Sequence, residues 1–282
     1  PHLPLPRLWI REGGPGVKEG VEMIPLEEAI RILESQVKTL PGEERVPLAQ
    51  ARGRVLAREV VSGIANPPFD RSPLDGYALR AEDVAGASRE TPVRLSVIAE
   101  VCAGGWFSGT VKPGQAVRIM TGGAIPRGCD CVVRQEDTDY GEETVEIYKP
   151  VNSRQNYCFA GEDIQKGAVL MAAGEKLTPV HLGVLAGQGL TEVPVRPAVR
   201  VAIISTGDEI VPTGTPLTPG KIYNSSLWMF QARLEELGAI VTLSRSVGDD
   251  PQAVAAAIRE GYRDAQVVIT TGGVSVGKKD IL

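Results

Sequence analysis

The chain has 282 residues, 43% hydrophobic and 23% charged, with 30 Lys and Arg against 35 Asp and Glu for a net charge of −5. That balance, with no basic block anywhere, argues against a nucleic-acid partner, and no run approaches the roughly 20 apolar residues needed to span a bilayer. Cys102, Cys129, Cys131 and Cys158 lack paired C-x2-C spacing and His2 and His181 are the only histidines, which excludes a His- or Cys-rich metal site and fits reduced cysteines in a cytoplasmic protein.

Residues 1–22 are rich in Pro and Gly, lack the apolar core of a secretory signal and read as an N-terminal arm. Residues 25–38, PLEEAIRILESQVK, carry apolar side chains at 26, 29, 30, 33 and 37, a helical stripe that begins at a proline. A second helix is expected across 47–58, PLAQARGRVLAR, with Gly53 as its weak point. From about 62 to 167 short alternating runs (VRLSVIAEV, QAVRIM, DCVVRQEDT, ETVEIYKPV) are separated by Gly, Pro and Asp, the pattern of a β-rich region. Residues 178–188, TPVHLGVLAGQ, predict a helix with Thr178 as N-cap, Pro179 at its first position and Gly189 closing it. His181 falls inside this helix, where packing is its expected role. The turn-rich TEVPVRPAVR marks a boundary.

Beyond it the period changes. VRVAIIST, GAIVTLSRSV and AQVVITT are strands, and the helices between them place Leu227, Phe230, Leu234 and Leu237 on one face and begin at Asp250-Pro251. Strands alternating with helices predict a parallel, doubly wound sheet whose ligands sit at the strands' carboxyl ends. The fold class is therefore α/β plus β-rich, in several domains.

Each of the three late strands ends in a polar cluster: Ser205-Thr206-Gly207-Asp208-Glu209, Asp249-Asp250, and Thr270-Thr271-Gly272-Gly273 running to Asp280. Backbone amides in such loops favour phosphate, and carboxylates beside phosphate point to Mg2+. Asp250 is first a helix cap. Asp249 serves a ligand or a solvated loop equally well. In the β-rich region, NPPFDRSPLDGYALR (66–80) stiffens an approach to Asp75-Gly76 with three prolines. RIMTGGAIP places Thr121-Gly122-Gly123 directly after an apolar run, and AGEDIQKGAVL sets Asp163 before a glycine turn. Each of these stretches alone would be a turn. No G-x-S-x-G elbow occurs, and the first late strand lacks G-x-G-x-x-G, so serine chemistry and a dinucleotide cofactor are disfavoured.

SPLDGYA, RIMTGGAIP, GEDI, STGDE and GGVSVGKKD occur in the order seen in the molybdopterin molybdenumtransferases, which include bacterial MoeA and the E domain of gephyrin, and the chain resembles that family from about residue 24 onward. The resemblance implies insertion of molybdate into adenylylated molybdopterin with release of AMP, assisted by Mg2+. It implies a homodimer whose site lies between one subunit's α/β domain and the other's β-rich domain, and an upstream adenylyltransferase as a further partner.

By motif, Asp75, Thr121, Glu209, Asp249 and Asp280 are the expected catalytic residues, with Asp249 and Asp280 as metal ligands. Substrate contacts are expected from Gly122, Asp163, Ser205, Thr206, Gly207, Asp208, Gly272, Gly273, Ser275 and Gly277. The implied domains are 23–42 plus 196–282 (α/β, molybdopterin-binding), 43–61 plus 168–195 (linking, dimerising) and 62–167 (β-rich). Two departures stand out. The family's D-[ST]-N-like run reads Asn224-Ser225-Ser226 here, and the family pattern continues past Asp280 with further loops tied to molybdate and a small β domain, so a C-terminally shortened chain is expected. A non-catalytic dimeric scaffold or a pterin-binding module is the alternative.

Overall fold

The computed structural model describes residues 25–272. In chain order the elements are α1 (Leu26–Gln36), β1 (Glu44–Pro47), β2 (Val60–Val61), β3 (Gly76–Leu79), β4 (Val93–Val101), β5 (Gln115–Ile119), β6 (Cys131–Arg134), β7 (Thr144–Ile147), β8 (Val169–Met171), α2 (Pro179–Gly187), β9 (Glu192–Val195), β10 (Arg200–Thr206), β11 (Ile210–Val211), β12 (Ile222–Tyr223), α3 (Ser225–Glu236), β13 (Ile240–Val247), α4 (Pro251–Asp264) and β14 (Val267–Thr271). Among the described residues no helix is long and apolar enough to cross a membrane.

Helix α1 lies in a unit separate from the body that starts at Pro41. Pro25 sits at its N-cap and Glu27 and Glu28 occupy its first turn, where carboxylates suit the positive end of the helix. None of its side chains is buried.

The largest sheet has five strands in the order β6-β3-β5-β4-β7. Strand β3 runs antiparallel to both neighbours, while β4 and β5 are parallel. Successive side chains of a strand point to opposite faces. Tyr77 and Leu79 enter one core with Leu95, Val133, Val145 and Ile147, and Ala78 enters a second with Val101, Val117, Ile119 and Val132. Both faces of β3 are therefore buried, which is why its sequence shows no alternation. Gly76 opens the strand because any Cβ there would be driven into the Val133 carbonyl.

A third core joins distant parts of the chain. Val46, Ala51, Leu56 and Val60 pack with Met171, Leu177, Leu185, Val193 and Val195. Strands β1 and β9 pair antiparallel, as do β2 and β8. The helix expected across 47–58 does not form. Pro47 ends β1, Leu48–Gln50 make a single 3-10 turn, and Gly53 takes φ +78°. The segment spends its backbone on Leu177 and Glu175 instead, with Gly53 N–H donating to Leu177 O and Leu56 N–H to Glu175 O. Burying Leu56 completely outweighs a helical propensity already weakened by glycine. Helix α2 forms where expected, but His181 is bonded rather than merely packed. The Thr178 hydroxyl accepts from His181 N–H and the His181 ring accepts from Thr178 N–H, a reciprocal cap.

The last sheet is parallel, in the order β13-β10-β14. Central β10 is buried from Val201 to Thr206, whereas β13 and β14 are only partly covered. Asp250 caps α4 by accepting from Gln252 N–H and Ala253 N–H. Val254, Ala257 and Gly261 form the buried stripe of α4. A Cβ at Gly261 would lie 2.8 Å from the Ala202 methyl, so glycine sets how closely α4 approaches β10. Leu227, Phe230 and Leu234 of α3 are half-buried, but Leu237 is 56% exposed. The expected four-residue face is one residue too long, because the helix stops at Glu236 and Gly238 turns the chain away with φ +84°.

Candidate functional site

The first grouping is built on the stiffened loop before β3. Ser72 is buried; its N–H donates to Gly123 O at 2.9 Å, its hydroxyl to Leu74 O at 2.6 Å, and it accepts from Gly122 N–H at 2.8 Å. These bonds lace the loop to residues 120–123. Thr121 then donates both its N–H (2.7 Å) and its hydroxyl (2.8 Å) to the same oxygen, Oδ1 of Asp75. The backbone bond, then the hydroxyl bond, hold the Asp75 carboxyl below its ordinary range, with help from Arg118. Gly122 takes φ +81°, the left-handed conformation that favours glycine, where the chain turns after Thr121.

The neighbouring aspartate has a different role. Asp70 accepts from the Tyr157 hydroxyl at 2.5 Å and from Ala160 N–H at 2.8 Å, so it fixes the loop. Burial and this acceptor push the Tyr157 hydroxyl up to about 12. Asp163 does not join Asp75 and Thr121. Its N–H donates to Asn66 O, and its side chain is exposed where the chain leaves the β-rich region.

The second grouping lies at the carboxyl ends of β10, β13 and β14. The Ser205 hydroxyl accepts from the Thr271 hydroxyl at 3.0 Å, and the Thr206 hydroxyl donates to Thr271 O at 3.3 Å. These two buried hydroxyls tie strand ends together. Gly207 takes φ +147°, and a Cβ there would lie 2.8 Å from both carboxylate oxygens of Glu209, which folds back over the glycine. Asp208 and Asp249 are bonded reciprocally: Asp208 N–H donates to Asp249 Oδ2 at 3.4 Å and Asp249 N–H to Asp208 Oδ1 at 3.1 Å. Gly272, with φ +89°, lets the third loop press against the Thr206 carbonyl. So Ser205, Thr206, Gly207, Asp208, Glu209, Asp249 and Gly272 are gathered at one end of the sheet. Gly273, Ser275, Gly277 and Asp280 lie outside the described residues.

Two residues of this grouping carry no sequence expectation of a bond. Lys221 Nζ donates to Asp208 O at 2.5 Å. Asn224 is 4% exposed; its amide donates to Ser246 Oγ at 2.7 Å and its carbonyl accepts from Leu227 N–H, capping α3. Asparagine therefore fills a structural cap where the family pattern begins with aspartate. The available signal for Lys221 was its place in a Pro-Gly-Lys turn just before β12. Among the described residues no three His, Cys, Asp or Glu converge as a metal cage.

The two groupings lie on different sheets, one a bonded carboxylate and the other a strand-end cluster of amides and carboxylates. Two family models cover nearly the whole chain: the MoeA N-terminal region (domain I and II) matches residues 24–189, and a probable molybdopterin binding domain matches residues 202–282. The chain belongs to the MoeA family. Among its relatives, molybdopterin molybdenumtransferase 2 of Mycobacterium tuberculosis H37Rv is 41% identical over 237 residues, covering 84% of this chain and 58% of that protein. The molybdopterin molybdenumtransferase of Bacillus subtilis 168 is 41% identical over 266 residues, covering 92% and 61%. A crystal structure of the molybdopterin biosynthesis MoeA protein from Pyrococcus horikoshii OT3 superposes with a TM-score of 0.82 at 34% identity, covering 89% of this chain and 67% of that one. The chain thus spans about three-fifths of the length of the curated MoeA relatives it matches.

Proposed function

We propose that this MoeA chain handles adenylylated molybdopterin and that its two half-sites serve the insertion of molybdate with release of AMP. The observation that carries this reading is the reciprocal Asp208–Asp249 pairing at the ends of two parallel strands, beside the glycine loops of β10 and β14. Such an end offers amides to phosphate oxygens and carboxylates to a hard cation.

The donor set suits Mg2+, which keeps several waters and takes one or two carboxylates plus substrate phosphates rather than a closed protein cage. Asp249 would hold it together with Asp280. When bound, it would offset the charge that develops on the phosphate oxygens as AMP departs. The protein's own part is positional. Gly207 and Gly272 let backbone approach the pyrophosphate, and Glu209 and Asp249 shape the crevice around it. Asp75, ionised and aimed by Thr121, presents a fixed negative charge to the reacting centre, where a prearranged charge costs no reorganisation.

The halves sit on different sheets of one chain, which supports a homodimer in which each site takes its carboxylate from one protomer and its crevice from the partner. A linking domain and a β-rich domain with cores of their own, and a parallel sheet built on separate strands, suit the proposed division into α/β, linking and β-rich domains. The adenylylated substrate implies delivery from an adenylyltransferase, and a cytoplasmic setting suits the free thiols. The test is direct: incubate the chain with adenylylated molybdopterin, molybdate and Mg2+ and follow AMP by chromatography. AMP release that requires molybdate supports the reading. Tight binding of the pterin without release would leave a binding module, and neither binding nor release would sink the proposal.

A further inference from the structure

We propose that Lys221 is a substrate-binding residue that supplies the positive charge for a pyrophosphate group in the strand-end crevice. This rests on the reading of that crevice as a nucleotide-phosphate site. Beside the backbone amides the crevice carries the carboxylates of Glu209 and Asp249, whose charge opposes a phosphorylated ligand, so a cation at its rim would favour binding.

Lys221 is fixed on that crevice by backbone, not by a free arm. Ile222 pairs with Ile210, and Ile222 N–H donates to Glu209 O at 2.8 Å, so the residue after the lysine is pinned to the loop that ends β10. Its ammonium reaches the Asp208 carbonyl at 2.5 Å. That contact places the charge at the crevice rim without neutralising it. Among the described residues no carboxylate lies within ion-pair distance of Lys221, whereas Arg233 and Arg245 of the same sheet region are each paired with a glutamate. An ammonium has three donors, and one carbonyl accepts one of them. The other two are suited to phosphate oxygens, which lysine binds as a compact point charge. The half-buried setting of Lys221 strengthens that attraction relative to open solvent.

Binding of inorganic pyrophosphate to the 282-residue chain, with and without Mg2+, tests the assignment by calorimetry. Lys221→Met should weaken pyrophosphate binding about tenfold or more, the usual scale for losing a charged hydrogen bond. Lys221→Arg should keep affinity within about threefold, because the charge is retained. Both variants should melt at the wild-type temperature. Undiminished binding by Lys221→Met overturns the assignment. So does equal weakening of both variants with a lowered melting temperature, which would make the lysine a loop clamp. Wild-type chain that binds no pyrophosphate in either condition overturns the phosphate reading of the crevice itself, and Lys221 with it.

Discussion

The β-rich sheet and the parallel sheet present carboxylates in opposite ways. In the β-rich region the strand that follows Asp75 is buried on both faces, and Asp75 is held on one oxygen by two donors from a single residue. In the parallel region only the central strand is buried, and Asp249 is held by one amide of a loop that it also braces. One grouping is a fixed charge on a stiff support. The other is a set of loops that secure one another. A rigid half suits a group that must already be aimed when charge develops, and loops that lean on each other suit the grip on an extended ligand.

The largest effect should come from the rigid half. Asp75→Asn keeps volume and removes charge, and AMP release should fall by at least about 100-fold, the scale for losing a prearranged electrostatic partner. Circular dichroism should show an unchanged fold. Parental activity in this variant would reduce Asp75 to a turn residue and erase the contrast. Next, Leu79→Ala opens a cavity in a core with no exposed face and should cost about 2–5 kcal/mol in urea unfolding. Val267→Ala at the 43% exposed start of β14 should cost under about 1 kcal/mol. Equal costs would show that the two regions are equally well packed.

A smaller effect separates the two Thr121 bonds. The Asp75 pKa is lowered from 3.8 in the fold, so its bonds contribute fully above the unfolded value and that contribution fades as pH falls through the lowered one. Thr121→Val keeps the amide bond and removes the hydroxyl. An NMR titration should show the Asp75 carboxyl moving up toward 3.8 without reaching it, and an unmoved titration would show that the hydroxyl bond does not hold in solution. The mildest perturbation is alkylation. Burial pushes the Cys129 thiol up to about 12 and raises Cys131 as well, while Cys102 is exposed. Iodoacetamide at mild alkaline pH should label Cys102 first and leave the other two untouched with no change in stability. Early labelling at Cys131 would show that the β-rich core opens readily.

Much of this was legible in the order of residues. The parallel sheet announced itself through strand–helix alternation, and the caps Thr178 and Asp250 were visible because a polar side chain followed by proline has few other uses. Strand β3 was hidden inside a motif: GYAL is four residues long, buried on both faces and preceded by prolines, so it shows neither alternation nor length. The 47–58 segment misled for the opposite reason, since its composition favours a helix while the pull of Leu56 into a core shared with residues more than a hundred positions away decides otherwise. Asp75 stood out in the sequence; that Thr121 aims it, and that Asp70 does not share its role, needed the hydrogen bonds. Lys221 was marked only by its Pro-Gly-Lys turn, because the carbonyl it meets is brought to it by the pairing of β11 with β12.

The shared core of β1, β2, β8, β9 and α2 has a consequence for how this chain can vary. Everything between Val61 and Val169 leaves and re-enters through two adjacent strands, with Ser62 N–H donating to Ala168 O and Gly167 N–H to Ser62 O. The nine buried residues of that core all lie outside the excursion. Closing a longer loop costs only about 0.6 kcal/mol for each doubling of its length. Insertions or deletions in the turns between the excursion's strands are thus nearly invisible to the framework that anchors it, provided the two gate strands keep their register. Length can drift in those turns, while the spacing inside the paired strands and the anchoring segments is held to the residue.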